Sequence, residues 1–164
     1  MAMLPNFSFI PSITAVTSYF NSDFSVMQFS ISAYLVFSSL LQIILGPLSD
    51  RFGRRTILNV CFTVFIIATI GCLVSEHTKT FIFFRILQAT AVSGMVVGRA
   101  IAADIFHSTN LNSFLGQIAI TMALVTIFAP LLGGFLLSLF DWKAIFYFLL
   151  FCALLALAYN IFLL

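Results

Sequence analysis

Charge is what this sequence has least of. Of its 164 residues only 7% are charged, seven Lys or Arg and five Asp or Glu, whereas 62% are apolar, and the mean hydropathy is +1.18. A soluble domain carries about 25% charged residues; so few ions cannot solvate a globule of this length. A soluble enzyme is therefore excluded, and the apolar excess excludes a disordered chain. The net charge of +2 is spread over scattered basic residues, which leaves no basic face for nucleic acid. Cysteine is scarce as well. Cys61, Cys72 and Cys152 all sit inside apolar runs. On one helix Cys61 and Cys72 would lie about 16 Å apart, beyond disulfide reach, so the three read as small packing residues. A disulfide-stapled secreted domain is out, and no Cys/His spacing suits a metal. Nucleophile elbow, phosphate-binding glycine loop and H-E-x-x-H pattern are all lacking. The N-terminus shows neither the positive leader nor the small-residue cleavage site of a signal peptide.

What the sequence does have is long apolar runs. A span needs about 20 residues to cross a bilayer, and runs of that order occupy 26–45, 57–74, 81–103, 114–140 and 144–164. An apolar stretch at 1–17, carrying Pro5 and Pro11, is too short for a complete span. Backbone in lipid must satisfy its own hydrogen bonds, so each run is expected to be helical. The expectation is a single all-α polytopic membrane domain with one partial and five complete spans. Arg51, Arg54, Arg55 and Arg99 fall on one side, Lys79 and Lys143 on the other; the positive-inside rule puts the first set in the cytoplasm. Both ends stop within apolar sequence, which reads as a piece of something longer.

The connection 46–55 reads Gly-Pro-Leu-Ser-Asp-Arg-Phe-Gly-Arg-Arg. Gly46 and Gly53 are expected to make a tight turn between helices. Asp50 is placed to cap a facing helix N-terminus, and Arg51, Arg54 and Arg55 to anchor the inner leaflet. Within 81–103 stand Arg85 and Gln88, then Arg99. Arginine at membrane depth costs about 2.5–3.5 kcal/mol on insertion scales and marks function by default. With a helix starting near Phe81, Arg85 is only about one turn from the outer surface, so snorkelling is the plain alternative. At ~100° per residue Arg85, Gln88, Val92 and Arg99 share one face, and Thr90, Gly94, Gly98 and Ala102 form a small-residue stripe for helix packing. In 114–140, Pro130 removes the bond to the Thr126 carbonyl, and Gly133-Gly134 allow another helix to come close. The 21 phenylalanines are read as lipid-facing bulk, and His77 and His107 as solvated loop residues.

These segments resemble, in order, three motifs of the major facilitator superfamily. Gly46, Leu48, Asp50, Arg51, Gly53, Arg54, Arg55 and Leu58 match motif A, G-x-L-x-D-R-x-G-R-K-x-x-L, with Arg for Lys at position 55. Arg85 and Gln88 match motif B, R-x-x-Q-G, with Ala89 in place of Gly. Gly116, Pro130, Gly133 and Gly134 match the antiporter motif C, in which Val125 and Ala129 replace glycines. Leu4-Pro5 and Ile10-Pro11 resemble the end of the first span in the drug:proton antiporters, particularly the bicyclomycin-resistance (Bcr/CflA) subfamily. The resemblance covers the whole chain as the six-helix N-terminal half of a twelve-span fold, first helix partial.

It implies proton-driven export of drug-like molecules from a bacterial inner membrane by alternating access, two halves rocking about a central site. No cofactor beyond the proton gradient is implied, and no metal. The implied partners are the lipid bilayer, the exported molecule and a C-terminal half, separately encoded. Of the five acids, Asp50 and Asp104 sit at cytoplasmic helix ends and Asp23, Glu76 and Asp141 in outer connections. None is mid-membrane, and the subfamily's first-span acid would fall at Met1 or before it. The chain is therefore expected to be inactive alone. Asp104 and Arg99 share a membrane level with Asp50 and Arg54, and a charge cluster of the four is expected there. The competing readings are a self-associating membrane scaffold without transport, and an intramembrane enzyme, which no catalytic pair supports.

Overall fold

The computed structural model of the chain describes residues 4–105 and 108–163, and every element among them is helical. The reading of His107 lies outside the described residues. The chain opens on a broken rod: α1 (Leu4–Phe7), a 3-10 turn (Ile10–Ser12) and α2 (Ile13–Tyr19). Pro11 has no N–H to give to the Phe7 carbonyl, so an α-helix cannot run through this point. Ser12 Oγ instead donates to the Phe9 carbonyl at 2.8 Å.

Then follow α3 (Phe24–Phe52), α4 (Arg54–Val74) and α5 (Thr78–Leu87), which passes through a 3-10 stretch (Gln88–Val92) into α6 (Ser93–Ile105). The last two are α7 (Ser108–Leu139) and α8 (Lys143–Leu163). Five of these rods are long and apolar enough to cross a membrane, α5 and α6 counting as one.

Two expectations change here. The tight turn over 46–55 is a single residue. Helix α3 continues through Gly46, Pro47 and Asp50 to Phe52, and only Gly53, at φ 89° and ψ 134°, breaks it. That conformation is open to glycine and strained for other residues. An added Cβ at Gly46 would meet nothing within 4 Å; its freedom is not used for turning. The single face drawn through Arg85, Gln88 and Arg99 is also lost. A 3-10 turn advances ~120° per residue, so five such residues rotate the helix about 100° relative to an unbroken α-helix.

Three apolar clusters fill the bundle. Phe9, Val16, Met27, Phe81, Trp142 and Phe146 pack at one end. Phe65, Ala91, Ile145 and Leu149 pack in the middle. Leu45, Ile57, Leu58, Phe62 and Val97 pack beside the arginines. Helices in lipid associate through close packing at small residues, and Ala68, Cys72, Ala89, Ala129 and Ala153 are all fully buried.

The phenylalanines divide between two jobs. Phe29, Phe135 and Phe162 face outwards, but Phe9, Phe65, Phe81 and Phe146 are core, where edge-on ring contacts such as Phe81–Trp142 at 5.9 Å tie three segments together. Lipid-facing bulk is thus only part of their use.

Candidate functional site

The break in the first rod has a consequence for Arg85. Its neighbours Phe9 and Pro5 are presented to the α5/α6 rod, and Arg85 is fully buried. Its guanidinium lies 4.2 Å from the centre of the Phe9 ring and 5.4 Å from that of Tyr34 on α3, both within cation–π range. Nη1 donates to the Pro5 carbonyl at 3.3 Å and to Gln88 Oε1 at 2.8 Å. Gln88 Nε2 passes the chain on to Thr69 Oγ1 at 2.9 Å, and Thr69 donates to the Phe65 carbonyl at 2.7 Å. Gln88 and Thr69 are fully buried too.

The snorkelling alternative therefore fails: the cation points inward, held by π-faces and acceptors from three helical rods. Among the described residues no carboxylate lies within ion-pair distance of it. Its Nε and Nη2 have no hydrogen-bond partner, nor does the buried Asn6 Oδ1.

At the opposite end Arg54, the first residue of α4, joins three helices. Its Nη2 lies 3.3 Å from Asp50 Oδ1 on α3 and 2.9 Å from Asp104 Oδ2 on α6. Both carboxylate side chains are more than half exposed, so each contact is a modest interaction. Together they clamp α6 across the Gly53 break.

Arg99 does not join this group. Five residues separate it from Asp104, about 140° around a helix, so the two side chains leave on different sides. Arg99 Nη2 lies 3.8 Å from Met122 Sδ on α7 instead. Of the remaining motif A residues, Leu48 packs into the cluster beside the arginines. Arg51 lies over the neighbouring Phe52 ring at 5.4 Å. Arg55 Nη2 donates to the Ile161 carbonyl at 2.6 Å, reaching α8.

The antiporter-type segment lies in α7, which carries Pro130 without ending. Gly133 is its contact point: a Cβ there would collide with the Ser8 carbonyl, at the break in the first rod. Gly116 and Gly134 open onto empty space. Between α6 and α7 lies a cleft of about 500 Å³, bounded by Gly98, Arg99, Gln117, Thr121 and Met122, with Phe62 at its back.

Sequence reasoning missed several partners. Thr69, Tyr34, Phe9 and the Pro5 carbonyl gave no local signal, since each meets Arg85 or Gln88 from a distant segment. Asn59 and Asn160 did give one, as lone amides in apolar runs. Asn160 Nδ2 donates to Asn59 Oδ1 at 2.6 Å, joining α8 to α4, the kind of interhelical bond used in membranes.

Residues 1–164 match the family model of the Major Facilitator Superfamily. The chain is 33% identical over 145 residues to the "Uncharacterized MFS-type transporter YdgK" of Bacillus subtilis (strain 168), covering 87% of this chain and 36% of that protein. It is 31% identical over 143 residues to a chloramphenicol resistance protein of Pseudomonas aeruginosa, covering 86% of this chain and 34% of that one. To multidrug resistance protein D of Escherichia coli (strain K12) it is 30% identical over 144 residues, 87% of this chain and 36% of the other. The chain thus spans about a third of the length of these relatives. With its helical spans, its buried Arg85–Gln88 pair and a match along its whole length, the chain is a multi-pass membrane protein of the Major Facilitator Superfamily.

Proposed function

We propose that this chain forms the N-terminal half of a proton-coupled exporter of drug-like molecules, of the bicyclomycin-resistance subfamily. Its place is the bacterial inner membrane, with the Arg54 end in the cytoplasm. The observation that carries this reading is Arg85, an intramembrane cation held by hydrogen bonds and aromatic faces at the junction of the first rod, α3, α4 and α5. So costly a placement marks a working site. Relatives whose names record chloramphenicol and multidrug resistance support drugs as the cargo.

Three features support alternating access. Helices α3 and α7 are the least covered of the long rods, only 22% and 11% of their most apolar windows being buried, and they offer faces to a second half. The Gly53 break and the Asp50–Arg54–Asp104 clamp bind three helices at one end by exposed, readily broken contacts. At the other end Tyr19, Phe20, Phe81 and Trp142 form a packed aromatic group. None of the chain's five acids lies within ion-pair distance of Arg85, and in this reading the other half supplies the proton-carrying carboxylate.

The test is a fusion of the chain to the remaining length of the Escherichia coli relative, produced in an efflux-deficient strain. The fusion lowers chloramphenicol accumulation, a protonophore restores it, and Arg85→Gln abolishes the effect. Undiminished accumulation by a fusion that reaches the membrane in normal amounts would refute the reading.

A further inference from the structure

The cleft between α6 and α7 is chemically one-sided. Arg99 lines it from α6, about 7.5 Å along the helix from Asp104, and Gln117 and Thr121 line it from α7, the Thr121 hydroxyl donating back to the Gln117 carbonyl at 2.9 Å. Among the described residues no carboxylate lines it. The only acceptor recorded for the Arg99 guanidinium among the described residues is the Met122 sulfur, a weak one. The acids at this end, Asp50 and Asp104, are both engaged with Arg54. The remaining wall is apolar and adaptable: Met95 and Met122 are flexible thioethers, and a Cβ added at Gly98 would enter open space. A volume of about 500 Å³ lies within the range of drug-sized sites, about 300–1,000 Å³.

We infer that this cleft binds amphiphiles with a single anionic head, a carboxylate, sulfonate or phosphate ester. The head group takes charge-assisted hydrogen bonds from Arg99 and a further one from the Gln117 amide. The hydrocarbon lies against Met95, Met122 and Phe62. Lipophilic cations are disfavoured, because the cleft offers them a like charge and, among the described residues, no counter-ion. The inference rests on the export reading in naming its substrate class, but binding is measured without transport. Two sources supply this chemistry: a free amphiphilic anion, which is the cargo, or the head group of an anionic phospholipid.

The test uses the whole chain in phosphatidylcholine nanodiscs, with a dansylated undecanoic acid as probe and its methyl ester as the uncharged counterpart. The acid binds about tenfold or more tightly than the ester, the size expected of hydrogen bonds to a charged group. Arg99→Gln removes that preference, Arg99→Lys keeps most of it, and Gly98→Leu weakens both ligands by filling the cleft. Unchanged Trp142 emission certifies that the variants fold. Adding phosphatidylglycerol separates the sources: undiminished probe binding assigns the cleft to a soluble anion, and displacement assigns it to lipid. Equal affinity for acid and ester, or an Arg99→Gln variant that still prefers the acid, overturns the proposal. A fusion that exports chloramphenicol or cations but no amphiphilic anion would sink the assignment of the anion as cargo and leave the export reading intact; probe binding by a chain whose fusion exports nothing would do the reverse.

Discussion

Thr69 decides whether the buried arginine has a fixed address. Its hydroxyl is the far end of the Arg85–Gln88 chain, and Thr69→Val keeps the shape while leaving the Gln88 amide without an acceptor. Stranding a buried polar group costs about 1–3 kcal/mol. The equivalent change at exposed Thr63, whose hydroxyl only bonds back to the Asn59 carbonyl, shifts stability by about 0.5 kcal/mol or less. Unfolding in mixed micelles separates the two, and equal effects would mean that the chain of bonds holds nothing. The sequence announced Arg85 and Gln88 because arginine and glutamine stand out in an apolar run at a recognisable spacing. It could not announce Thr69, 19 residues from Gln88, or the Pro5 carbonyl, 80 residues from Arg85; such partners are chosen by the fold and leave no local pattern. Gly53 was legible for a different reason. Its left-handed φ demands glycine locally, so Gly53→Ala costs about 1–3 kcal/mol, whereas Gly46→Ala, inside the helix, is neutral or slightly stabilising. The same unfolding measurement checks both.

Helices α6 and α7 show how far periodicity carries and where it stops. Apolar runs placed the long rods, because length and hydropathy are properties of the run itself. Rotation across Gln88–Val92 was not legible, since nothing there advertises a 3-10 stretch; Arg99 was assigned to the Asp104 group on a shared membrane level alone, although five residues along α6 set the two about 140° apart. The clamp that does form predicts a specific pattern. Arg54→Asp and Asp104→Arg each weaken the bundle modestly, by about 1 kcal/mol or less at these exposures, and the double exchange recovers part of the loss. Exchanging Asp50 with Arg99 recovers nothing, because the two do not meet. A thermal-stability double-mutant cycle reads the difference. Helix α7 adds a contrast between adjacent glycines. Gly133→Ala drives a methyl group into the Ser8 carbonyl, and overpacking of this sort costs about 1–3 kcal/mol. Gly134→Ala meets open space and gains helix propensity. If both alanine variants melt alike, the first rod does not seat on α7 where Gly133 stands.

The orientation of the bundle follows from charge distributed over its two ends rather than from any one contact. Arg51, Arg54, Arg55 and Arg99 gather at the Gly53 end, and Lys79 and Lys143 stand at the Trp142 end. Helix α4, 21 residues long, measures about 31 Å at 1.5 Å per residue, matching a hydrocarbon core of ~30 Å. Its two ends therefore sit at opposite membrane surfaces, and labelling one end fixes the other. Translocating three arginines within one short connection is strongly disfavoured, which is the ground for the proposed orientation with the Gly53 end inside. The three native cysteines lie in the spans and are free, so a background with all three replaced by serine or alanine carries single reporters cleanly. A cysteine replacing exposed Phe52, next to the Gly53 break, reacts with a membrane-impermeant maleimide only after the cells are opened. A cysteine replacing exposed His77, just before α5, reacts in intact cells. The two reporters flank α4 at its opposite ends, so an inverted bundle would exchange their compartments together. Reaction of the Phe52 position in intact cells would invert the bundle, put the arginine clamp outside and overturn the proposed orientation.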